Sequence, residues 1–387
     1  MNPHALTVHW REHAGDCVAE LWQHGFPPPW EGLWWYQALE QGGLDDQFRF
    51  LYAEVRDAQQ RPLALAPAFL MDVPLEMFVP EPLLPLLRAL ARVFPALLHQ
   101  RTLFFGSPCS ERGWVGFAPG CDQDGRAAVL DALERAAAHK AGELRVAMRV
   151  WKDFPAALQP ALDGVAARRG LFRVVSFPGT RVELPAAGKE AYFMALKPSR
   201  RQQLRRKLRR SAQAVTLRCE VVASPDEALR AQLFGLFWQT YEHATTRFER
   251  LTPTVFEHFA TAPEVAFIVL RAPATDIPVA FMMVNVEGPV LINKFIGFDY
   301  TQPREWLLYF RLWDAAVDLA LSLGKSAIES GQTGYRAKIA VGHQLLPLWN
   351  YCRHRNPLLN AIYRAVGRRI DWASLDPELA PGGDEAD

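Results

Sequence analysis

The sequence is poor in cysteine. Five occur in 387 residues, Cys17, Cys109, Cys121, Cys219 and Cys352, an odd number with no pair at CxxC spacing. This argues against a disulfide framework and against a zinc site built on cysteine pairs, and it fits a reducing cytoplasm. The chain also lacks an excess of charge: 43 Lys and Arg stand against 42 Asp and Glu, so no global field marks a nucleic-acid coat or a membrane-surface protein. Long apolar runs are missing too. The nearest approach, Pro80 to Leu98, is broken by Glu81, Pro82, Pro85, Arg88 and Arg92, and reads as an amphipathic helix, not a span. The first residues lack a secretory pattern, because His9 to His13 (HWREH) fall where an apolar core would be needed.

What is present is ordinary globular composition, half apolar and 22% charged, long enough for two or three domains at roughly 150 residues each. The first half alternates strand and helix patterns. Leu6–Trp10 and the runs 48–55 and 62–70 read as strands, the latter two joined by a turn at Asp57. Helices are expected around Trp34, Trp35 and Leu39, over 83–98, over 126–140 before Gly142, and over 156–169 before Gly170, with strands at 144–150 and 172–177. The second half repeats this order. Strand 214–222 is followed by a helix from Asp226 to His243, a short helix 255–262, a hairpin 265–270/278–286 around Asp276, and strand 290–297. A long helix 304–323 closed by Gly324, a buried strand 326–330 and a helix 356–369 complete it. Arg61–Phe69 (RPLALAPAF) echoes Ile277–Met283 (IPVAFMM), and helix–Gly–strand recurs at 126–150 and 304–330. The expected fold class is therefore a mixed α/β (α+β) fold with two similar domains in tandem, 1–180 and 181–375, before a disordered acidic tail 376–387.

Two segments carry chemistry. In Lys197–Arg210 eight of fourteen residues are basic. Ser199 is placed to cap a helix whose stripe Leu204, Leu208 and Ala212 docks on the protein, while its other faces present guanidinium forks suited to phosphate. The second segment follows the buried strand 326–330: Glu329, Gln332, Tyr335 and Lys338 lie within ten residues, beyond a strand end, where α/β sheets bind ligands. The first half has no such cluster after its matching strand 145–151, so its domain is expected to be non-catalytic.

These residues resemble the GNAT acyltransferase superfamily, in its FemAB-like and BioF2-like branch. The likeness rests on the basic helix Arg200–Arg210, on the meander ending in Asn293–Tyr300 (NKFIGFDY) with the helix Trp306–Leu323 after it, and on Glu329–Gly342 (ESGQTGYRAKIAVG). It covers roughly 190–350; for 1–180 it is only that this branch often carries two GNAT-like domains in tandem. Gln332 and Gly342 match a Gln…Gly spacing of leucyl/phenylalanyl-tRNA transferases. One departure stands out. Many GNAT enzymes hold coenzyme A pyrophosphate with a glycine-rich turn, where this chain reads Gln302–Leu308 (QPREWLL) without glycine.

The resemblance implies an N-acyltransferase that moves an acyl group from an acyl thioester (acyl-CoA or acyl-carrier protein) to a small-molecule or peptide amine by direct attack, without a metal. Aminoacyl-tRNA is the alternative donor, and a non-catalytic RNA- or protein-binding module the alternative class. Such transfer needs a base, an oxyanion partner and a leaving-group proton. Glu329 is the candidate base, with His343 as a substitute. Lys338 is the candidate for the oxyanion and Tyr335 for the leaving group. Asn293 and Gln332 would hold substrate amide or carbonyl groups, and Arg200, Arg201, Arg205 and Arg304 the donor's phosphates. Trp34, Trp35 and Trp349 are better read as core than as an acyl pocket.

Overall fold

The computed structural model describes residues 6–74, 99–244, 249–273 and 275–380. The helix expected over 83–98 lies outside the described residues. The chain divides into two compact units, one of 1–26, 45–176 and 347–375, the other of 27–44, 177–346 and 376–387.

The first unit is built on a sheet of β1 (Thr7–Arg11), β2 (Arg49–Arg56), β3 (Pro62–Pro74), β4 (His99–Phe105), β6 (Met148–Pro155), β15 (Leu348–His354) and β7 (Phe172–Val175), in that spatial order, with β5 (Gly116–Phe117) added on β3. β1 to β4 form an antiparallel meander, and β4 meets β6 in parallel. That parallel step needs a crossover, supplied by α3 (Gln123–Glu143). Asp122 caps α3 by accepting from Gly125 N at 2.7 Å. The helix lays Val129, Leu130, Leu133 and Ala137 on Trp151 and Phe154 of β6. The turn after β2 forms as expected, because Asp57 accepts from the backbone of Gln59 and Arg61. α1 (Ala19–Gly25) also belongs here, as do α4 (Gln159–Arg169), α11 (Pro357–Gly367) and α12 (Trp372–Leu375).

The second unit follows the same plan. Its sheet runs β9 (Arg218–Val222), β10 (Val265–Arg271), β11 (Pro278–Asn285), β12 (Val290–Phe298), β13 (Ala327–Ser330), β8 (Gly179–Glu183) and β14 (Gln344–Leu346). β9 to β12 are antiparallel neighbours, β12 and β13 are parallel, and α9 (Leu308–Ser322) is the crossover between them. Its helices are α2 (Leu33–Gln41), α5 (Lys189–Ala195), α6 (Pro198–Ala214), α7 (Glu227–His243), α8 (Pro253–Thr261), α9 and the short α10 (Tyr335–Ala340). Asp226, where the helix was expected to start, caps α7 by accepting from Leu229 N at 2.8 Å. One face of the sheet packs Ala266, Ile268, Met282, Val284, Leu291 and Ile328 under Trp313, Ala316 and Val317 of α9.

In each sheet a meander of four strands is followed by a parallel fifth, an antiparallel sixth and an edge strand. The sixth strand comes from a remote part of the sequence both times. β15 follows the second unit's β14 in sequence yet lies between β6 and β7, while β8 precedes all other strands of its sheet yet lies between β13 and β14. Neither strand was among the sequence expectations. Their side chains are of mixed polarity (GTRVE and LWNYCRH), and each strand's partners are distant or short. The tail is ordered further than expected: Pro377–Leu379 is a single 3-10 turn, and Glu378 accepts from Arg336 N at 2.9 Å. Residues 381–387 lie outside the described residues.

Candidate active site

β12 and β13 are matched for only four residue pairs, from Val290 with Ala327 to Asn293 with Ser330. β13 ends there, while β12 runs on to Phe298. The two strands part at the carboxyl ends of a parallel pair, the place where α/β sheets accept ligands. A bulge sits at the same level. Phe295 faces Met283 and Asn293 faces Val284, so Lys294 is the extra residue of the bulge.

Alternation assigns the side chains at this point to two faces. Asn293 and Ser330 share the α9 face, where Asn293 Nδ2 donates to Ser330 Oγ at 2.7 Å. Asn293 is buried, and its other amide atom, Oδ1, has no partner. Thr180 closes the same end by donating to the Ser330 carbonyl. Glu329 lies on the opposite face, opposite Arg181 of β8. It is buried, and Arg181 Nη1 donates to its Oε1 at 2.8 Å. Arg181 also donates to Glu183 at 2.5 Å, and these two carboxylates, Glu183 foremost, raise its pKa. Among the described residues none donates to Glu329 Oε2.

The remaining candidates hold the turn beyond β13. Lys338 Nζ donates to the carbonyls of Ser330, Gly331 and Gln332 at 3.3, 2.9 and 3.1 Å. Tyr335 is wholly buried and its hydroxyl donates to Pro178 O at 2.9 Å; Gln332 Nε2 donates to Phe177 O at 3.1 Å. The turn uses Thr333 and Gly334 at positive φ, 63° and 61°. Lys338, Tyr335 and Gln332 thus have backbone carbonyls as partners, which gives them a positioning role in this geometry. His343 is buried against the Trp313 ring, 4.8 Å between centroids, and neither ring nitrogen has a hydrogen-bond partner. Burial, and secondarily the charge of Lys338, push its pKa down to about 3, so it is neutral and a weak base at neutral pH.

The basic helix is α6. It begins at Pro198 with Lys197 as N-cap and no side-chain cap bond, so Ser199 lies inside the first turn and does not cap it. Its inner stripe is Leu204, Leu208 and Ser211; the expected Ala212 is exposed. Ser211 Oγ donates to Trp306 O at 2.6 Å, which ties the helix's second half to the 3-10 turn Arg304–Trp306 before α9. Arg304 therefore adjoins that end of α6, whereas Arg200, Arg201 and Arg205 lie toward its start. Arg205 reaches Glu190 and stacks 5.1 Å from the Phe193 ring; Arg201 donates to Met194 O at 3.4 Å. Arg206, Arg209 and Arg210 are exposed. At the start of α9, where the glycine-rich turn is missing, Leu307 itself takes the left-handed conformation, φ 48° and ψ 46°.

Two buried charges escaped the sequence reading. Lys294, at the bulge, is paired with Glu31 and lies 4.3 Å from the Trp35 ring centroid. Trp35 in turn stacks on Phe259 at 4.4 Å, in the core. The available signal was a lysine beside Asn293 in the middle of a largely apolar strand, VLINKFIGF. The cysteines show no sign of a nucleophile: burial raises the thiols of Cys121 and Cys352, the latter to about 12. Among the described residues no three His, Cys, Asp or Glu side chains gather as metal ligands, and no helix is long and apolar enough to cross a membrane.

Residues 198–323, from α6 through α9, match the family model described as an acetyltransferase (GNAT) domain. No curated protein matches the chain. Among solved structures, FemX superposes with a TM-score of 0.59 at 9% identity, over 92% of this chain and 99% of that one. L-PGS from Bacillus licheniformis gives 0.51 at 10% identity, over 86% and 93%. A tandem GNAT protein from the clavulanic acid biosynthesis pathway gives 0.48 at 13% identity, over 91% and 99%. Residues 198–323 thus match a GNAT acetyltransferase domain, and the fold of the chain is like that of FemX.

Proposed function

We propose that the enzyme transfers an acyl group from a thioester, acyl-CoA or acyl-carrier protein, to a primary amine by direct attack, in the gap where β12 and β13 part. The observation that carries this reading is the pair of unclaimed acceptors at that gap, Asn293 Oδ1 on one face and Glu329 Oε2 on the other. A ligand lying between parting strands meets both faces. Asn293 orients the amine through an N–H, and Glu329 takes its proton as the N–C bond forms and the tetrahedral oxyanion develops. Collapse breaks the C–S bond and releases the thiol, with the proton returned through water. Lys338, Tyr335 and Gln332 hold the turn 330–334 in place for this step. The exposed arginines of α6, with Arg304 beside its second half, attract the donor's phosphates.

A specific observation favours aminoacyl-tRNA as a second donor. The turn before α9 has no glycine at which a backbone can approach a pyrophosphate closely, and α6 instead presents Arg206, Arg209 and Arg210 along a helix, a spacing suited to a nucleic-acid backbone. Binding separates the readings. Saturable binding of acyl-coenzyme A, with amide formation on an amine panel that is lost in Glu329→Gln, supports the thioester enzyme. Tight binding of charged tRNA without coenzyme A binding supports the ligase. Binding of neither, and no transfer from an acyl-carrier protein, overturns both.

A further inference from the structure

The first unit holds a cavity of about 330 Å³ lined by Glu134, Arg135, Ala138, Arg149, Arg169, Arg353 and Arg355. Its walls are α3, the last turn of α4, β6, and β15 with the residue just after it. Five arginines around one concave site are unusual in a chain whose formal net charge is +1.

The carboxylates nearby are already committed. Glu134 is buried and both of its oxygens are used: Oε1 accepts from Arg149 Nε and Nη2 at 3.1 and 2.7 Å, Oε2 from Trp151 Nε1 at 2.9 Å. Asp131 takes Arg169 at 3.0 and 2.7 Å, Arg168 at 3.4 Å and Arg135 at 3.6 Å, and Arg169 above all holds its carboxyl below the usual range. Glu143, at the end of α3, is taken by His139 and Lys140 at 3.1 Å each. Among the described residues no carboxylate pairs with Arg353 or Arg355. Arg353 and Arg355 therefore add two positive charges to the site that no carboxylate among the described residues offsets.

The ladder makes the excess structural in origin. Arg353 of β15 is directly opposite Arg149 of β6. Like charges directly opposite destabilise a sheet unless something neutralises them. Arg149 has Glu134, and Arg353 has no such partner. Arg355 is held alongside by its own N–H, which donates to Ala147 O at 2.8 Å. Residues two apart on a strand share a face at roughly 7 Å, a spacing that fits adjacent phosphates, and guanidinium forks bind phosphate oxygens bidentately.

We propose that this cavity binds the phosphate groups of a small phosphorylated molecule, a diphosphate or two closely spaced phosphates, with Arg353 and Arg355 as the recognising pair and the Arg149–Glu134–Trp151 network as their fixed backing. The proposal does not depend on the donor proposed above.

Calorimetry with inorganic pyrophosphate and inorganic phosphate on the full chain tests it, for wild type, Arg353→Ala/Arg355→Ala and Arg206→Ala/Arg209→Ala. The expected result is saturable pyrophosphate binding, tighter than phosphate, that weakens about tenfold or more in the first double variant and changes little in the second. The first variant's melting temperature without ligand stays level or rises, since a like-charge contact is removed. Should that variant fold poorly, Arg355→Glu, at an exposed position, weakens binding at least as much. Binding that survives loss of Arg353 and Arg355, binding lost only in the α6 variant, or no saturable binding at millimolar pyrophosphate overturns the proposal.

Discussion

Asn293 and Ser330 are the last residues matched across the parallel strands β12 and β13, and the amide of the first donates to the hydroxyl of the second at 2.7 Å. The other end of that amide is buried and unpartnered at the point where the strands separate. A buried acceptor left unsatisfied costs about 1–3 kcal/mol, and a substrate N–H that fills it recovers part of that.

Asn293→Leu is therefore expected to split stability from activity. Removing the unsatisfied Oδ1 offsets the loss of the hydrogen bond to Ser330, so the melting temperature changes little. Loss of the amine contact lowers kcat/KM by about tenfold to a hundredfold, or about 1.4–2.8 kcal/mol. Thermal melts and steady-state kinetics on the same preparation check both. A parallel fall in the two makes Asn293 a structural residue.

The Glu329–Arg181 pair gives a second contrast. Glu329→Gln keeps the shape but cannot take a proton, so amide formation falls by at least about a hundredfold with folding retained. Arg181→Ala leaves a buried carboxylate without its cation and is expected to destabilise the protein by about 1–3 kcal/mol, less than a fully buried pair because Arg181 is partly exposed. Denaturant titration measures the second effect. Full activity in Glu329→Gln removes the base assignment.

His343 sets an expectation for pH. Its pKa lies near 6.5 unfolded and is pushed down to about 3 in the fold, chiefly by burial. Below pH 6.5 the unfolded chain gains a proton that the folded one refuses. The stability associated with the neutral ring is thus complete above 6.5 and declines as pH falls toward 3, with a limiting slope of about 1.4 kcal/mol per pH unit. His343→Leu flattens the acid limb of melting temperature against pH between 6 and 4. Superimposable slopes for the two proteins refute the burial argument.

The role proposed for the exposed arginines of α6 is toward the donor, not the fold. Arg206→Glu/Arg209→Glu is expected to change stability by less than about 0.5 kcal/mol while weakening donor binding, and to reduce its dependence on salt. Binding measured at several ionic strengths checks this. A salt dependence equal to wild type places the donor elsewhere.

Several elements were legible because their causes are local. Asp226 before α7 and the Asp57 turn each satisfy nearby backbone groups, and a few residues suffice to predict them. The basic helix was legible as charge and length, but its docked stripe was not. Ala212 and Ser211 differ by one position, and the hydrogen bond from Ser211 to Trp306, 95 residues away, decided which faces inward. Glu329 and Asn293 were legible as polar residues in apolar strands. Their placement on opposite faces follows from the register with Arg181 and Ser330, which depends on pairings made across the sheet.

The alternation of helix and strand, the repetition of one mixed α/β plan and the likeness of 198–323 to a GNAT domain were all readable from the amino acids, because apolar periodicity and capping chemistry act over a turn or a strand. The folded chain alone reveals that β15 and β8 complete the two sheets, that Lys338 and Tyr335 are spent on backbone carbonyls, and that Arg353 faces Arg149. Each of these depends on partners brought together from far along the chain. Long-range strand register and the ownership of a buried hydrogen bond are set by closure of the whole sheet, which no local window of sequence contains.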